Sequence, residues 1–247
     1  MTAFKILLAN GCSVAHGTEM VDCPIIDEYI DGNPSKFAWP QLLGDELLLE
    51  TKNISKPGGS NERISRTTIE HVLTLLKQYK NDEILVGIMF SHMNRFEYPD
   101  DGSNFWNTYG HWYIDNKIDE KFVERIILND YYMIYKTLQS IHALQMFLHN
   151  HNICYFMSFI KSSVTHGENN HMSFMSELDF EYLFDDIDWD KFFYVVGKNN
   201  KNISIMNLGS DNKMKRGPYN HFLEDTHKLY TDHLIPWVKN RFIDKIT

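Results

Sequence analysis

The chain predicts an α/β fold, a mainly parallel sheet held between two layers of helices, in one domain spanning residues 1–247. Three observations predict it. Short, continuously apolar runs recur at residues 4–9, 83–90 and 153–160, as expected of strands buried on both faces. The longer segments between them place apolar residues three and four apart, the period of a helix with one buried face. Gly-rich or polar clusters follow the runs, where the chain would leave the C-terminal edge of such a sheet. Alternation of strand and helix implies right-handed crossovers with helices on both faces.

Taken in order, residues 4–9 (FKILLA) form the first strand. Residues 37–48 form a helix, with Pro40 in the first turn, where its missing N–H is no loss. Residues 18–36 between them read as a long surface loop. Residues 51–55 form a short strand, punctuated by Lys56, Pro57, Gly58, Gly59, Ser60 and Asn61, and a helix follows on Ile64, Thr68, Val72, Leu75, Leu76 and Tyr79. The strand at 83–90 ends in a polar cluster from Ser91 to Arg95. Residues 96–119, with Phe105, Trp106, Tyr109, Trp112 and Tyr113, read as an irregular aromatic insertion beside the sheet's rim. Residues 120–149 carry the longest helical period, on a face running from Phe122 to Leu148, and residues 153–160 form the next strand. Residues 161–202 hold a polar loop with His166 and His171, then an acidic-aromatic helix near 177–186. Residues 204–208 read as the last strand, and 223–243 as a closing helix that Pro236 kinks or splits.

Composition narrows the function classes. A 43% hydrophobic content in 247 residues is enough to bury a full core. A net charge of −9 without a Lys/Arg stripe argues against a nucleic-acid partner. No apolar stretch reaches the ~18 residues of a membrane span, and the opening MTAFKILLANG lacks the apolar region of a signal peptide. Three cysteines in no metal-ligand spacing suggest a reducing compartment, so the expectation is a cytoplasmic protein. His166 and His171 lack a third ligand at matching spacing, so no metal is expected. Oligomeric state is open.

The chemistry concentrates in Gly11-Cys12-Ser13-Val14-Ala15-His16-Gly17, directly after the first strand. Glycines on either side let the backbone turn sharply, which would stand the Ser13 hydroxyl at the rim with a helix N-terminus behind it. The plainer reading makes Ser13 only a helix cap. Cys12 is a second candidate nucleophile, but one step earlier in the turn it would point away from the rim. Gly58 to Asn61, Ser91 to Arg95 and the His-rich segment before the last helix reach the same edge. These are the parts a serine hydrolase needs, since the hydroxyl requires a base and the oxyanion requires N–H donors.

At these positions the chain resembles the SGNH (GDSL-like) hydrolases, most closely their divergent bacterial and phage-type members. Asn10 to Gly17 is similar to the family's first block, with Cys12 where an aspartate is usual, and Asn53 to Asn61 to the second, with Gly58 on the oxyanion glycine. The third block departs, giving Ser91-His92-Met93-Asn94 where Gly-x-Asn-Asp is expected, and sets Asn94 one place off as the third oxyanion donor. Arg95-Phe96-Glu97 is typical of the divergent members and reads as a structural ion pair at a strand end. His221 aligns with the family's base, and His227 with Glu224 three residues before it is the alternative. Choosing His221 puts Pro218 in the acid position, which leaves Asp211 from the preceding loop or a Ser-His dyad.

The resemblance implies a flavodoxin-like three-layer α/β/α sandwich and a serine esterase or acetylesterase. Ser13 would attack, His221 would carry the proton, and Ser13 and Gly58 N–H with Asn94 would hold the oxyanion. It implies no cofactor and an O-acetylated carbohydrate or other small ester as substrate. Transfer of the acyl group to a glycan hydroxyl would use the same residues, and a catalytically weak binding module would keep the fold alone.

Overall fold

The computed structural model describes residues 3–25, 32–99, 106–110, 130–161, 181–197 and 202–242. Its centre is four parallel strands, β1 (Ile6–Asn10), β2 (Glu50–Asn53), β3 (Ile84–Phe90) and β6 (Cys154–Phe159), in the spatial order β2-β1-β3-β6. Between β1 and β2 lie the single turn α1 (Ser13–His16) and α2 (Trp39–Glu46); α3 (Asn61–Leu75) links β2 to β3. Helix α4 (Asp130–Asn150) precedes β6, a short α5 (Glu181–Asp185) follows it, and α6 (Ile205–Asp211) and α7 (Glu224–Arg241) close the chain. The register runs Ile6 to Glu50 on one side of β1 and Ile6 to Ile84 on the other. Beyond β6, among the described residues, the sheet gains a fifth-strand stub, where Phe193 N–H donates to Met157 O at 2.8 Å.

The period of two along β1 sorts the core into two halves. Ile6 and Leu8 face α3 and α4, joining Ile64, Val72, Ile134, Leu138, Ile141 and Leu144. Leu7 and Ala9 face the other layer, joining Trp39, Leu43, Tyr230, Leu234 and Val238 of α2 and α7. Each such aliphatic side chain removed from water contributes about 1.5–3 kcal/mol, so both helix layers are needed to cover a sheet that is apolar on both faces. That is the three-layer α/β/α sandwich the sequence predicts.

Three elements differ from the sequence reading. Residues 205–208 are helical: the extended Ser204 accepts the Asn207 N–H on its side chain at 3.5 Å and caps α6, so a segment that passes for a strand starts a helix instead. The strand there is only β8 (Asn202–Ile203), paired antiparallel with β7 (Val195–Val196) apart from the main sheet. The aromatic insertion holds an antiparallel hairpin, β4 (Arg95–Pro99) with β5 (Trp106–Gly110), whose aromatic and β-branched content suits a strand. Pro236 lies inside α7, which runs unbroken to Arg241. Residues 120–129 and the loop carrying His166 and His171 lie outside the described residues. Among the described residues no helix is long and apolar enough to cross a membrane.

Gly87, in the middle of β3, leaves room for the buried Phe156 ring: a Cβ there would stand 2.6 Å from its Cζ. Gly87→Ala is expected to lower stability by about 1–3 kcal/mol, read as a lower urea midpoint, and Phe156→Leu in the same chain is expected to recover part of the loss.

Candidate active site

Strand β1 ends in Asn10, whose side chain locks the exit of the chain. Its Nδ2 donates to Ile64 O and to the Thr67 and Thr68 hydroxyls at 2.9–3.0 Å, while Oδ1 accepts the Gly11 N–H at 2.8 Å. At Gly11 a Cβ would fall 2.6 Å from the Ala15 Cβ and 3.0 Å from Met89 O, so only glycine lets the turn pack against β3. Cys12 is extended and fully buried in the core, while Ser13 opens α1. That helix ends after one turn at Gly17, in the left-handed region with φ 81°, whose N–H bonds Ser13 O and Val14 O. The Ser13 residue is 6% exposed.

The histidine arrives from a hairpin between α6 and α7. Arg216 pairs with Phe222 as an antiparallel bridge, the Gly217 N–H donates to His221 O at 2.9 Å, and the Asn220 N–H donates to Gly217 O at 2.9 Å. This sets His221 Nε2 2.9 Å from Ser13 Oγ. His221 Nδ1 lies 2.7 Å from Glu19 Oε2, and the Glu19 side chain is 3% exposed. The carboxylate also accepts backbone N–H groups of Tyr219 at 2.7 Å and His221 at 3.1 Å. With Glu19 accepting at Nδ1, the imidazole is the tautomer with a proton there and Nε2 open to the serine hydroxyl. Glu19 adopts φ 72°, costly for a side-chain-bearing residue. Gly217 makes room for it, because a Cβ there would come 2.5 Å from Glu19 Oε1.

The serine turn is braced by the loop after β2. Lys56 N–H donates to Gly11 O at 3.2 Å, and Lys56-Pro57-Gly58-Gly59 closes as a β-turn through Gly59 N–H to Lys56 O at 2.9 Å. Gly58 has φ 76°, as the third residue of a type II turn requires, and nothing stands within 4 Å of where its Cβ would be. Among the described residues neither the Ser13 nor the Gly58 N–H is taken by another group. Asn61 fixes the third segment: its Oδ1 accepts the Ser91 N–H at 2.7 Å and its Nδ2 donates to the Thr137 hydroxyl at 3.1 Å.

The other sequence candidates stand outside the Ser13–His221–Glu19 line. Asn94 sits partly exposed in the turn after β3, with no hydrogen bond to Ser13 or Gly58. The side chain of that segment that meets the loop is Arg95, whose Nη1 donates to Ser91 Oγ at 2.8 Å and reaches Gly59 O at 3.5 Å. The expected Arg95–Glu97 ion pair does not form. Glu97 takes Arg66 of α3, through Nε at 3.2 Å and Nη2 at 2.9 and 3.1 Å, because α3 packs across β4 and its guanidinium presents a fork to the carboxylate. His227 is fully buried in α7, where Nδ1 accepts the Trp39 N–H at 3.2 Å and so satisfies the first turn of α2. Its partner from the sequence pairing, Glu224, accepts instead from the Val21 N–H at 2.8 Å. Asp211 is exposed at the end of α6, with no bond to His221.

The carboxylate facing His221, Glu19, was absent from the sequence candidates. It is the first carboxylate after Ser13, but only the folded loop shows that it turns back onto the hairpin.

Residues 18–245 match the model of DUF6071, a family of unknown function, and the chain belongs to that family. No protein of curated function matches it in sequence. Among solved structures, a carbohydrate esterase family 2 enzyme from Corynascus thermopiles (Myceliophthora fergusii) is 9% identical with a TM-score of 0.54, over 97% of this chain and 67% of that one. A family two carbohydrate esterase from Clostridium thermocellum, in complex with cellohexaose, is 12% identical with a TM-score of 0.53, over 98% and 65%. TesA is 11% identical with a TM-score of 0.51, over 96% and 99%. The chain thus spans about two thirds of the two carbohydrate esterases and nearly all of TesA. These likenesses establish the three-layer α/β/α fold.

Burial, and then the neighbouring His221, push the His227 imidazole down to about 3 from its ordinary 6.5, so it is neutral in the fold. Between those values the unfolded chain holds the extra proton, and stability falls as pH drops from about 6.5 toward 3, by up to about 1.4 kcal/mol per pH unit for this group. His227→Asn keeps an acceptor for the Trp39 N–H and does not titrate there. Urea melts from about pH 7 to pH 4 are expected to show a shallower loss of stability in this variant than in the wild type.

Proposed function

We propose that this chain is a serine-dependent ester hydrolase in which Ser13, His221 and Glu19 act as nucleophile, general base and orienting carboxylate. The observation that carries the reading is the continuous hydrogen-bonded line from Ser13 Oγ through both ring nitrogens of His221 to a buried carboxylate. His221 Nε2 takes the Ser13 proton as Oγ attacks the acyl carbonyl. Glu19 stabilises the imidazolium and holds the ring in the productive tautomer. The Ser13 and Gly58 N–H groups receive the oxyanion, each such donor lowering the barrier by about 3 kcal/mol. Asn94 is the candidate third donor.

Collapse of the tetrahedral intermediate breaks the ester C–O bond, and His221 returns the proton to the departing alcohol. Water then attacks the acyl-serine with His221 again as base and releases the acid. An O-acetylated carbohydrate is the proposed substrate class, supported by the carbohydrate esterases among the fold's neighbours.

Hydrolysis of p-nitrophenyl acetate tests the assignment. Ser13→Ala and His221→Ala are expected to lower kcat/KM by about 10⁴-fold or more, and Glu19→Gln by about 10³–10⁴-fold. His227→Asn is expected to stay within a few fold of wild type. Wild-type turnover no faster than that of Ser13→Ala would sink the reading.

A further inference from the structure

The charge in contact with His221 is a buried carboxylate, Glu19, while Arg216 of the same hairpin is exposed and held by Asn220 and Ser210. Where β3 and β6 end, two cations, Arg95 and Lys161, have no carboxylate partner among the described residues. Arg95 donates only to two neutral oxygens, Ser91 Oγ and Gly59 O, and forms no ion pair among the described residues. Its Nε and Nη2 donors carry no bond there. Among the described residues the carboxylates of that region are paired: Glu97 and Glu70 with Arg66, and Glu62 with Lys136 at 3.8 Å.

Lys161 flanks the same segment from the end of β6. Phe90 pairs with Phe159 in the sheet and the Ile160 N–H donates to Phe90 O at 3.0 Å, so the parallel register sets Lys161 beside His92. Lys161 is exposed and has no ion pair among the described residues. His92 adds no charge at neutral pH, since burial and the adjacent Arg95 and Lys161 push it down to about 4. Arg63 reinforces the field, with a buried Nη1 that lacks an acceptor and lies 3.7 Å from where a Gly59 Cβ would be. The Gly58–Gly59 turn therefore has guanidinium groups on it and, through Gly11 O, is two residues from the serine. In a chain of net charge −9 this is a local arrangement and not the sign of the whole surface.

A guanidinium left with neutral acceptors keeps free donors in a planar fork that matches a carboxylate or phosphate. The oxyanion of the reaction is transient and already has backbone donors. We infer that the ester substrate itself carries a fixed anionic group, a carboxylate or a phosphate, and that Arg95 with Lys161 forms the subsite that receives it. This inference deepens the esterase reading and rests on it for the word substrate. Recognition of the anion does not require turnover.

Binding to the full chain carrying Ser13→Ala, which cannot form an acyl-enzyme, separates the two. Calorimetric titration with O-acetylated glucuronic acid, O-acetylated glucose 6-phosphate and O-acetylated glucose is expected to show one of the anionic sugars binding about tenfold or more tighter than the neutral one, with the advantage shrinking as salt is raised. Whichever acid binds tighter names the anion. Arg95→Gln is expected to abolish the advantage, Arg95→Lys to keep part of it, and Lys161→Gln, at an exposed side chain without partners among the described residues, to reduce it with folding intact. Equal binding of the three sugars, no binding of either acid, or an advantage that survives both Arg95→Gln and Lys161→Gln overturns the inference. If the anionic preference holds while the wild type hydrolyses none of the three, the serine mechanism fails and the subsite stands.

Discussion

The site depends on one buried carboxylate. Glu19 accepts three N–H groups, from the backbone of Tyr219 and from the backbone and ring of His221, and so joins the loop after the serine to a hairpin about two hundred residues later. A carboxylate removed from water is tolerated only when donors replace its hydration, and among the described residues the donors here come from that hairpin. The bond network thereby fixes where the hairpin sits and which face of the imidazole meets Ser13. The positive φ of Glu19 and the bare Cα of Gly217 are what the backbone gives up to let the carboxylate reach.

The sheet supplies the complementary constraint. The chain goes from β1 to β2 on one side and returns to β3 on the other, so β1 and β3 flank the switch point where an open α/β sheet leaves a crevice. Ser13 leaves β1 at that crevice, the Gly58 turn borders it from β2, and Ser91 and Arg95 border it from β3. Asn10, Asn61 and Ser60 hold these exits with side-chain hydrogen bonds, so the rim rests on helix α3 and not on loops alone.

What was legible in the sequence follows from range. The buried strands showed as apolar runs because burial on both faces leaves no polar alternation, and Ser13 with its flanking glycines showed because a sharp strand exit needs them locally. His221 showed through spacing against a family pattern. Glu19 did not, because nothing within its own loop distinguishes it from any surface glutamate until the hairpin closes on it. The Arg95–Glu97 pairing failed for the same reason: the two residues are neighbours on one strand, but the better-shaped partner for Glu97 is Arg66 of a packed helix. Residues 204–208 misled because a short segment with three apolar residues, Ile205, Met206 and Leu208, is ambiguous between strand and helix until its Ser204 cap is weighed.

In the proposed mechanism His221, held by Glu19, makes the Ser13 hydroxyl a nucleophile. The decisive measurement is reaction of the purified protein with an alkyl fluorophosphonate, followed by peptide mass mapping. A single adduct is expected on Ser13, forming far more slowly in Glu19→Gln and absent in His221→Ala. An adduct on another residue, or labelling of Ser13 at the same rate without His221, would refute the mechanism.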